Sequence, residues 1–284
     1  MTVVPMNQAK PLPLLSVRDL CVDYASRKGL KRAVDRVSFT VGANEVLGLA
    51  GESGSGKSTV AFAIARLHRP PAFITGGSIL LDGTDVLKLE GETLRQWRWR
   101  DVSVVLQSAM NALNPLLTVA AQFTDLFRAH GIKNKAEIRE RSAELLRMVG
   151  IAPDRLLDYP HRFSGGMRQR LVIAMALALG PKLIIMDEPT TALDVVVQRE
   201  LLEEVTVLRR RLGFSILFIT HDLALMSQFC DRIGIMLNGE LIEMGPPMQM
   251  VEAPQHPYTR KLWNAIPPLH PPELPPRRVL ENTP

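Results

Sequence analysis

The spacing of apolar and polar residues predicts strands at the start of the chain. From Leu14 to Tyr24 the two kinds of residue alternate, which is typical of a half-buried β-strand. Ala33 to Thr40 and Glu45 to Ala50 predict two further strands, separated by a turn at residues 42–44. Residues 1–13 carry three prolines and few apolar positions, so we expect them to form a loose lead-in.

Downstream of residue 107 the pattern changes to helical spacing and then to a strand–helix alternation. Residues 116–160 favour helices, the clearest at Ala136–Val149, so a mostly α-helical segment at about residues 108–165 is inserted into the chain. After it come apolar strands at Lys182–Met186 and Phe214–Thr220 around a helix at Val195–Arg211. A hairpin around Asn238-Gly239 follows. The pattern as a whole predicts an α/β fold.

Composition narrows the class of protein only in part. The 284 residues are 46% hydrophobic and 22% charged, as in an ordinary globular protein. Cys21 and Cys230 are too few for a disulfide framework and suit a reducing cytosol. The N-terminus lacks the apolar core of a signal peptide, and the longest apolar run, Leu171–Leu179, is too short to span a bilayer.

The basic balance of the chain leaves two interpretations open. A net charge of +5 fits an anionic partner, such as nucleic acid or a membrane surface, and equally a general solubility charge. The aromatic–basic run from Trp97 to Arg100 is too short for a nucleic-acid stacking platform. We therefore expect it to be a surface patch at a helix end.

The most specific pattern is a phosphate-binding loop between a strand and a helix. It fits G-x-x-x-x-G-K-[ST] at every position: Gly51-Glu52-Ser53-Gly54-Ser55-Gly56-Lys57-Ser58-Thr59. Small residues let backbone N–H groups surround a phosphate, and the helix predicted from Ser58 to Arg66 points its positive end at the same anion. Lys57 can reach the β- and γ-phosphates, and the Ser58 hydroxyl can bind Mg²⁺. The alternative is a flexible loop that matches by chance.

Three polar side chains follow buried strands and complete a candidate site. Asp187 ends one strand and can hold Mg²⁺ through its water shell, and Glu188 beside it can polarise the attacking water. His221 follows the next strand and can bond to the γ-phosphate. The acidic pair alone also fits a solvated turn, and a lone histidine is most often a surface or core residue without a role. The phosphate loop, and the position of His221 at the same sheet edge, favour the functional interpretation.

Other candidates depend on their position in the chain. Gln107 directly follows an apolar strand and can touch Mg²⁺ or the attacking water. Tyr24 ends the first strand and either stacks on an adenine ring or packs on the core. Ser164-Gly165-Gly166 begins the helix that holds the long apolar run, where it can bind an anion, cap the helix, or do both.

Taken together, the chain resembles the ATP-binding subunit of an ABC transporter over nearly all its length. The resemblance implies an α/β fold with a P-loop NTPase core, an N-terminal antiparallel β subdomain and an inserted α-helical subdomain, over residues 14–245. Gly51 to Thr59 resembles the Walker A motif and Leu183 to Glu188 the Walker B motif. The other matches are Gln107 for the Q-loop, Ser164-Gly165-Gly166 for the signature, Ala192-Leu193-Asp194 for the D-loop, His221 for the switch histidine and Tyr24 for the adenine-stacking aromatic.

Finer features resemble the oligopeptide, dipeptide and nickel import branch. They include the segment from Phe163 to Arg170 and His256-Pro257-Tyr258, within a proline-rich extension at residues 246–284. Several members of the branch bind an iron–sulfur cluster through C-terminal cysteines. This chain has no cysteine beyond Cys230, so no iron–sulfur cluster is predicted. The Q-loop keeps the Leu-Asn-Pro ending of the branch and differs from the branch before it.

The resemblance implies hydrolysis of ATP with Mg²⁺ by two such domains that close head to tail, each ATP also meeting the partner's Ser164-Gly165-Gly166. It implies a second, related ATPase subunit, two membrane-spanning permeases and an extracytoplasmic solute-binding protein, at the cytoplasmic face of the membrane, with no nucleic acid. The solute is expected to be a di- or oligopeptide, with short oligosaccharides or nickel as alternatives. A soluble ABC ATPase that acts on DNA or ribosomes, or an exporter subunit, remains the alternative of a different class.

Overall fold

The structure of the chain is a computed structural model, and it describes residues 12–27, 29–106, 112–190 and 193–265. Gln107, Ala192, most of the expected lead-in and the end of the proline-rich extension lie outside these residues. Among the helices described, none is long and apolar enough to cross a membrane.

The N-terminal part of the chain forms an antiparallel sheet of four strands in the order β2-β1-β4-β5. In register, Leu15 of the central strand pairs with Val41 on one side and with Leu81 on the other. This confirms the predicted antiparallel β subdomain. The strands are β1 Leu15–Ser26, β2 Gly29–Val41, β4 Ala72–Leu81 and β5 Thr84–Asp85.

The second sheet has six strands in the order β10-β9-β3-β8-β7-β6. All neighbours are parallel except β10, which pairs antiparallel with β9 at the edge. The three central strands β3, β8 and β7 are wholly buried, as their continuous apolar runs require. The strands are β3 Val46–Ala50, β6 Val102–Val105, β7 Leu183–Asp187, β8 Ser215–Ile219, β9 Arg232–Leu237 and β10 Glu240–Gly245.

Helices cover both sheets within the described residues. They are α1 Lys57–Ile64, α2 Gly91–Arg100, α3 Val119–Ala129, α4 Lys135–Met148, α5 Gly165–Leu177, α6 Val195–Leu212, α7 Leu223–Phe229, α8 Pro247–Glu252 and α9 Pro257–Asn264. The predicted helices at residues 136–149 and 195–211 agree with α4 and α6 within about two residues, the usual uncertainty of a helix end.

Helix α1 lies in the core that the two sheets share. Val60, Ala61, Ala63 and Ile64 are inaccessible to solvent and pack with apolar residues from strands of both sheets. A helix that is apolar on nearly every side must be buried in this way. The loop that precedes α1 is therefore fixed at its helical end by the core.

A second core lies under the inserted helices. Phe123 and Phe127 of α3 stack on each other and pack with Ile138 and Leu146 of α4. The same cluster continues into α5 and the far face of the parallel sheet, so the helical segment is built onto the sheet. The C-terminal helix α9 also packs against this cluster, through Tyr258, Leu262 and Trp263.

The expectation of a surface patch at Trp97–Arg100 was wrong. Trp97 is 6% exposed and belongs to the core between the sheets. The helix kinks at Arg98 and Trp99, where the φ of Trp99 is 69°, and Trp99 then packs against the second core. The kink carries Trp99 to a different core from that of Trp97, which helical periodicity alone does not predict.

Candidate active site

The order of strands in the parallel sheet brings three predicted site segments to one edge. Strand β8 lies between β3 and β7. The phosphate loop follows β3, His221 follows β8, and Asp187 is the last residue of β7, opposite Ile219 of β8. Ligands of open α/β sheets bind at the carboxyl ends of parallel strands. The topology therefore places the candidate residues around a single cleft.

The phosphate loop takes a backbone shape that only glycine accepts at two of its positions. Gly51 has a φ of 144°, and a Cβ there would lie 2.2 Å from the Met236 carbonyl oxygen. Gly56, which precedes α1, has a φ of 103°, and its Cβ would lie 2.6 Å from the Ala33 carbonyl oxygen. Both glycines are thus needed for conformation and for close packing.

Lys57 is buried and bonds to the loop that it follows. Its Nζ donates to the carbonyl oxygens of Gly51 and Glu52, both at 2.8 Å, and to Ser55 Oγ at 3.3 Å. Burial lowers the pKa of the Lys57 ammonium, and the negative charges of Glu188 and Asp187 oppose that shift. The ammonium group is therefore held at the floor of the loop, near two carboxylates.

Ser58 and Asp187 meet across the cleft. The Ser58 hydroxyl is close enough to the Asp187 carboxylate to lower the pKa of that group. Burial raises the pKa of Asp187, Glu188 adds to that rise, and the hydroxyl of Ser58 and the charge of Lys57 oppose it. A hydroxyl and a carboxylate side by side are oxygen donors of the kind that Mg²⁺ prefers.

Glu188 stands at a turn that the backbone adopts with difficulty. Its φ of 48° lies in the left-handed region, which is uncommon for residues other than glycine. The Glu188 N–H donates to the Ile219 carbonyl oxygen at 2.8 Å, so the turn is tied to the end of β8. This turn leads the chain out of the sheet and brings the Glu188 side chain into the cleft, within 3.1 Å of His221 Nδ1.

Tyr24 also lines the cleft. Its hydroxyl is 3.3 Å from Thr59 Oγ1, which ties strand β1 to the first turn of α1. The ring is half-buried and lines the cleft. The structure therefore places Tyr24 at the cleft, and its stacking on adenine stays a prediction.

The cleft has a volume of about 890 Å³, which is within the usual range of a ligand site. Sequence reasoning missed five of its lining residues: Lys31, Arg32, Ala33, Asn238 and Gly239. The Gly239 N–H donates to the Ser55 carbonyl oxygen at 3.1 Å, so the β9–β10 hairpin supports the phosphate loop. The Asn-Gly turn signal predicted the hairpin, but no local pattern indicated that the hairpin contacts the phosphate loop.

The predicted signature and D-loop residues lie elsewhere. Ser164, Gly165 and Gly166 do not line the cleft, and Ser164 is an exposed residue that caps α5 by accepting from the Met167 N–H at 3.3 Å. Asp194 caps α6 by accepting from the Val197 N–H at 3.0 Å. Gln107 lies outside the described residues.

The cleft combines the groups that phosphoryl transfer uses. A glycine-rich loop at a helix N-terminus and a buried ammonium suit phosphate oxygens. Hydroxyl and carboxylate oxygens suit a divalent cation, and a second carboxylate beside an imidazole suits activation of water.

Comparison with known protein families gives two matches. The model of the ABC transporter family matches residues 34–191. The model of the oligopeptide/dipeptide transporter C-terminal region matches residues 242–284. Together they account for the phosphate loop, the helical segment, the Asp187–Glu188 pair and the His256-Pro257-Tyr258 segment.

Several curated proteins are similar to the chain over most of its length. It is 47% identical over 270 residues to the peptidoglycan transport ATP-binding protein YejF of Agrobacterium fabrum, covering 94% of this chain and 50% of that protein. It is 45% identical to a putative peptide import ATP-binding protein of Brucella abortus, covering 92% and 79%. The dipeptide transport ATP-binding protein DppD of Haemophilus influenzae is 42% identical, with 90% and 78% covered.

Solved structures agree with the fold. A dimeric ATP-binding cassette in a post-hydrolysis state, bound to ADP and Pi, matches with a TM-score of 0.72 and 28% identity, covering 82% of this chain and 98% of that one. CbiO1 from Clostridium perfringens, part of the ABC transporter complex CbiONQ, matches with the same TM-score and 26% identity, covering 84% of this chain and 90% of that one.

Proposed function

Because this chain belongs to the ABC transporter family, we propose that its ATPase powers the import of di- and oligopeptides across a cytoplasmic membrane. The observation that carries the proposal is the match of residues 242–284 to the C-terminal region of oligopeptide and dipeptide transporters. The described part of that region packs onto the ATPase core through α9. Relatives named for peptide, dipeptide and oligopeptide transport, at 41% to 45% identity, support the same solute class.

A second candidate solute is a fragment of peptidoglycan. The Agrobacterium relative named for peptidoglycan transport is 47% identical to this chain, although the chain spans only half its length. Peptidoglycan fragments combine short peptides with sugars. This candidate therefore lies between the peptide and the short-oligosaccharide alternatives, and nickel remains the inorganic one.

In the proposed mechanism the phosphate loop holds the triphosphate of ATP. The backbone N–H groups from Gly51 to Thr59 and the positive end of α1 surround the phosphates. Lys57 turns its ammonium from the loop carbonyls toward the β- and γ-phosphates. Tyr24 stacks on adenine, since its ring lines the cleft beside the start of α1.

Ser58 and Asp187 would hold Mg²⁺, Asp187 through a bound water, together with Gln107. The adjacent hydroxyl and carboxylate of the first two support this assignment. When bound, the ion supplies positive charge that offsets the charge of the phosphate oxygens. The protein's part is to fix these oxygens at the strand ends.

In the proposed mechanism Glu188 is the general base, and His221 orients the Glu188 carboxylate. Glu188 accepts a proton from the water that attacks the γ-phosphate in line, and Gln107 helps to position that water. The Glu188–His221 contact supports the pairing. His221 can also bond to the γ-phosphate and so register its loss.

The site is completed by a second ATPase subunit. Ser164, Gly165 and Gly166 of each subunit contact the ATP held by the other, and Asp194 lies in the D-loop of the same interface. The exposed position of Ser164 outside the cleft of its own chain supports this arrangement. A similar cassette solved as a dimer supports it further. We favour a related, non-identical subunit as the partner.

The remaining partners are two membrane-spanning permeases and an extracytoplasmic solute-binding protein, with the ATPase at the cytoplasmic face of the membrane. No nucleic acid is part of the proposal.

The test is reconstitution of this chain with its permeases and its solute-binding protein in vesicles. ATP hydrolysis is measured with dipeptides, longer peptides, peptidoglycan fragments, oligosaccharides and nickel outside. Stimulation of ATP hydrolysis by peptides alone supports the proposal. Stimulation by one of the other classes alone would identify that class as the solute in place of peptides. Copurification with ribosomes or DNA, and not with permeases, would point to the soluble class of ABC ATPases.

A further inference from the structure

The turn between β9 and β10 reaches the cleft of the candidate site. It consists of Asn238 and Gly239, and Leu237 pairs with Glu240 on either side of it. Both turn residues have a positive φ, of 49° and 89°, as the tight I′ hairpin turn requires. Both also line the cleft. The hairpin therefore brings its tip to the same space as the phosphate loop.

Gly239 forms backbone hydrogen bonds in two directions. Its N–H donates to the Ser55 carbonyl oxygen of the phosphate loop at 3.1 Å, and its carbonyl oxygen accepts from the Asp35 N–H of β2 at 2.8 Å. The phosphate loop follows β3 of the parallel sheet, whereas β2 belongs to the antiparallel sheet. A single residue thus connects the phosphate loop with the other sheet of the molecule.

The antiparallel sheet supplies one wall of the cleft. Strand β2 pairs with β1, and in this pairing Lys31 of β2 lies directly opposite Tyr24 of β1. Tyr24, Lys31 and Ala33 all line the cleft. Gly239 is therefore bonded both to the phosphate loop and to the sheet that carries Tyr24.

The hairpin, β2 and the phosphate loop meet with no space for another side chain at Gly239. A Cβ there would lie 2.9 Å from the Ala33 carbonyl oxygen, which is closer than real Cβ atoms approach a neighbour. A Cβ at Gly56 would lie 2.6 Å from the same oxygen, and a Cβ at Gly51 would lie 2.2 Å from the Met236 carbonyl oxygen of β9. The three elements thus contact one another through backbone atoms, and a side chain at Gly239 must displace the hairpin or β2.

We propose that Gly239 is a positioning residue for ATP binding, which fixes the phosphate loop relative to the cleft wall that carries Tyr24. It acts through the Ser55 carbonyl group on one side and through β2 on the other. Ser55 also contacts Lys57, whose Nζ donates to Ser55 Oγ at 3.3 Å. ATP meets the loop with its phosphates and Tyr24 with its adenine, so its affinity depends on the spacing of these two parts. The inference rests on the ATP site proposed above and not on the identity of the solute.

The test compares Gly239→Ala with Gly83→Ala in the full-length chain. The two glycines are matched, because Asp82 and Gly83 form a turn between β4 and β5 with φ of 47° and 76°. Gly83 does not line the cleft, and a Cβ there has no atom within 4 Å. That variant therefore carries the strain of a positive φ without a displacement of neighbouring backbone.

We expect Gly239→Ala to raise the Kd for ATP with Mg²⁺ about tenfold or more, because a small misplacement of a binding group is costly. Gly83→Ala should leave this Kd unchanged, although both variants should melt lower than the unaltered chain. Titrations run well below both melting temperatures keep the chains folded, so a loss of stability does not alter the measured affinity.

ATP turnover separates positioning of ATP from the chemical step. In Gly239→Ala the KM for ATP should rise with the Kd, while the rate at saturating ATP stays nearly unchanged, because Glu188 and His221 follow other strands. A lower saturating rate at an unchanged KM would contradict the proposal.

A second measurement does not require a variant to fold. If the bonds of Gly239 favour ATP binding, ATP must in turn favour those bonds, because coupling between two equilibria is reciprocal. Hydrogen exchange at the Gly239 and Asp35 N–H groups of the unaltered chain should therefore slow when ATP with Mg²⁺ is added. Exchange at Gly83 should not change.

An unchanged Kd for ATP in Gly239→Ala, or an equal rise in Gly83→Ala, overturns the proposal. If Gly239→Ala does not fold, exchange at Gly239 and Asp35 that is indifferent to ATP overturns it instead. Failure of the unaltered chain to bind ATP would remove the proposed ATP site itself, so the two failures are distinguishable.

Discussion

His221 Nδ1 lies 3.1 Å from Glu188 Oε1, and the two side chains come from neighbouring parallel strands. The His221 side chain is 67% exposed, whereas the Glu188 side chain is 19% exposed. The imidazole therefore lies at the mouth of the cleft and fixes the orientation of a more buried carboxylate. An exposed orienting group can meet both the γ-phosphate and a partner subunit.

Removal of the imidazole should slow hydrolysis without preventing binding. In His221→Ala we expect the rate of ATP hydrolysis to fall by about 10²-fold or more, the usual contribution of a positioned proton-transfer pair. The affinity for ATP should change little, because the phosphate loop is intact. Phosphate release and equilibrium binding measure the two effects. His161→Ala, at an exposed residue that does not line the cleft, should behave as the unaltered chain; near-normal hydrolysis in His221→Ala would contradict the pairing.

Substitutions at two glycines of the loop distinguish the effect of backbone strain from that of steric contact. Gly54 has a φ of 79° and no atom within 4 Å of an added Cβ, whereas at Gly56 that Cβ would lie 2.6 Å from the Ala33 carbonyl oxygen. Gly54→Ala should cost about 1–2 kcal/mol of stability, from strain alone. Gly56→Ala must also move the backbone, so it should lose more stability and at least tenfold in ATP affinity.

Denaturant unfolding and ATP titration of both variants check this prediction. Equal losses at the two positions would show that the close approach to Ala33 does not shape the loop.

Asp187 should weaken the stability of the chain at neutral pH. Burial raises its pKa above the ordinary value of 3.8, so the folded chain binds a proton more tightly than the unfolded chain does. The contribution of Asp187 to the free energy of unfolding is fully present below pH 3.8, where the carboxyl is protonated. It is lost as the pH rises through the pKa that Asp187 has in the folded chain. We therefore expect Asp187→Asn to melt higher than the unaltered chain at pH 7, and to bind ATP with Mg²⁺ less tightly.

The pH series supplies the control for this prediction. The advantage of Asp187→Asn should shrink as the pH falls toward 3.8, because the aspartate is then protonated. A variant that melts lower at pH 7, by an amount independent of pH, would show that the contact with Ser58 outweighs the cost of burial.

Much of the site could be predicted from the sequence because its residues follow apolar strands. Asp187 and His221 come directly after buried runs, and parallel strands in an α/β sheet present their carboxyl ends at a common edge. The motif from Gly51 to Thr59 predicted the phosphate loop in the same way, because it also follows an apolar strand. These predictions needed only local patterns and one rule of sheet topology.

Contacts between distant parts of the chain could not be predicted in this way. The bond from Gly239 to Ser55 depends on β9 lying beside β3. Trp99 was misread because a kink at Arg98 and Trp99 breaks the helical period. Each depends on tertiary packing, which local periodicity does not encode.

The most direct test of the central claim is ATP turnover by Glu188→Gln. The amide keeps the shape of the side chain and removes the base. The account predicts ATP affinity close to that of the unaltered chain, a turnover rate at least 10²-fold lower, and a dimer trapped with ATP between its subunits. Turnover at the normal rate would contradict the account, because the carboxylate beside His221 would then have no part in hydrolysis.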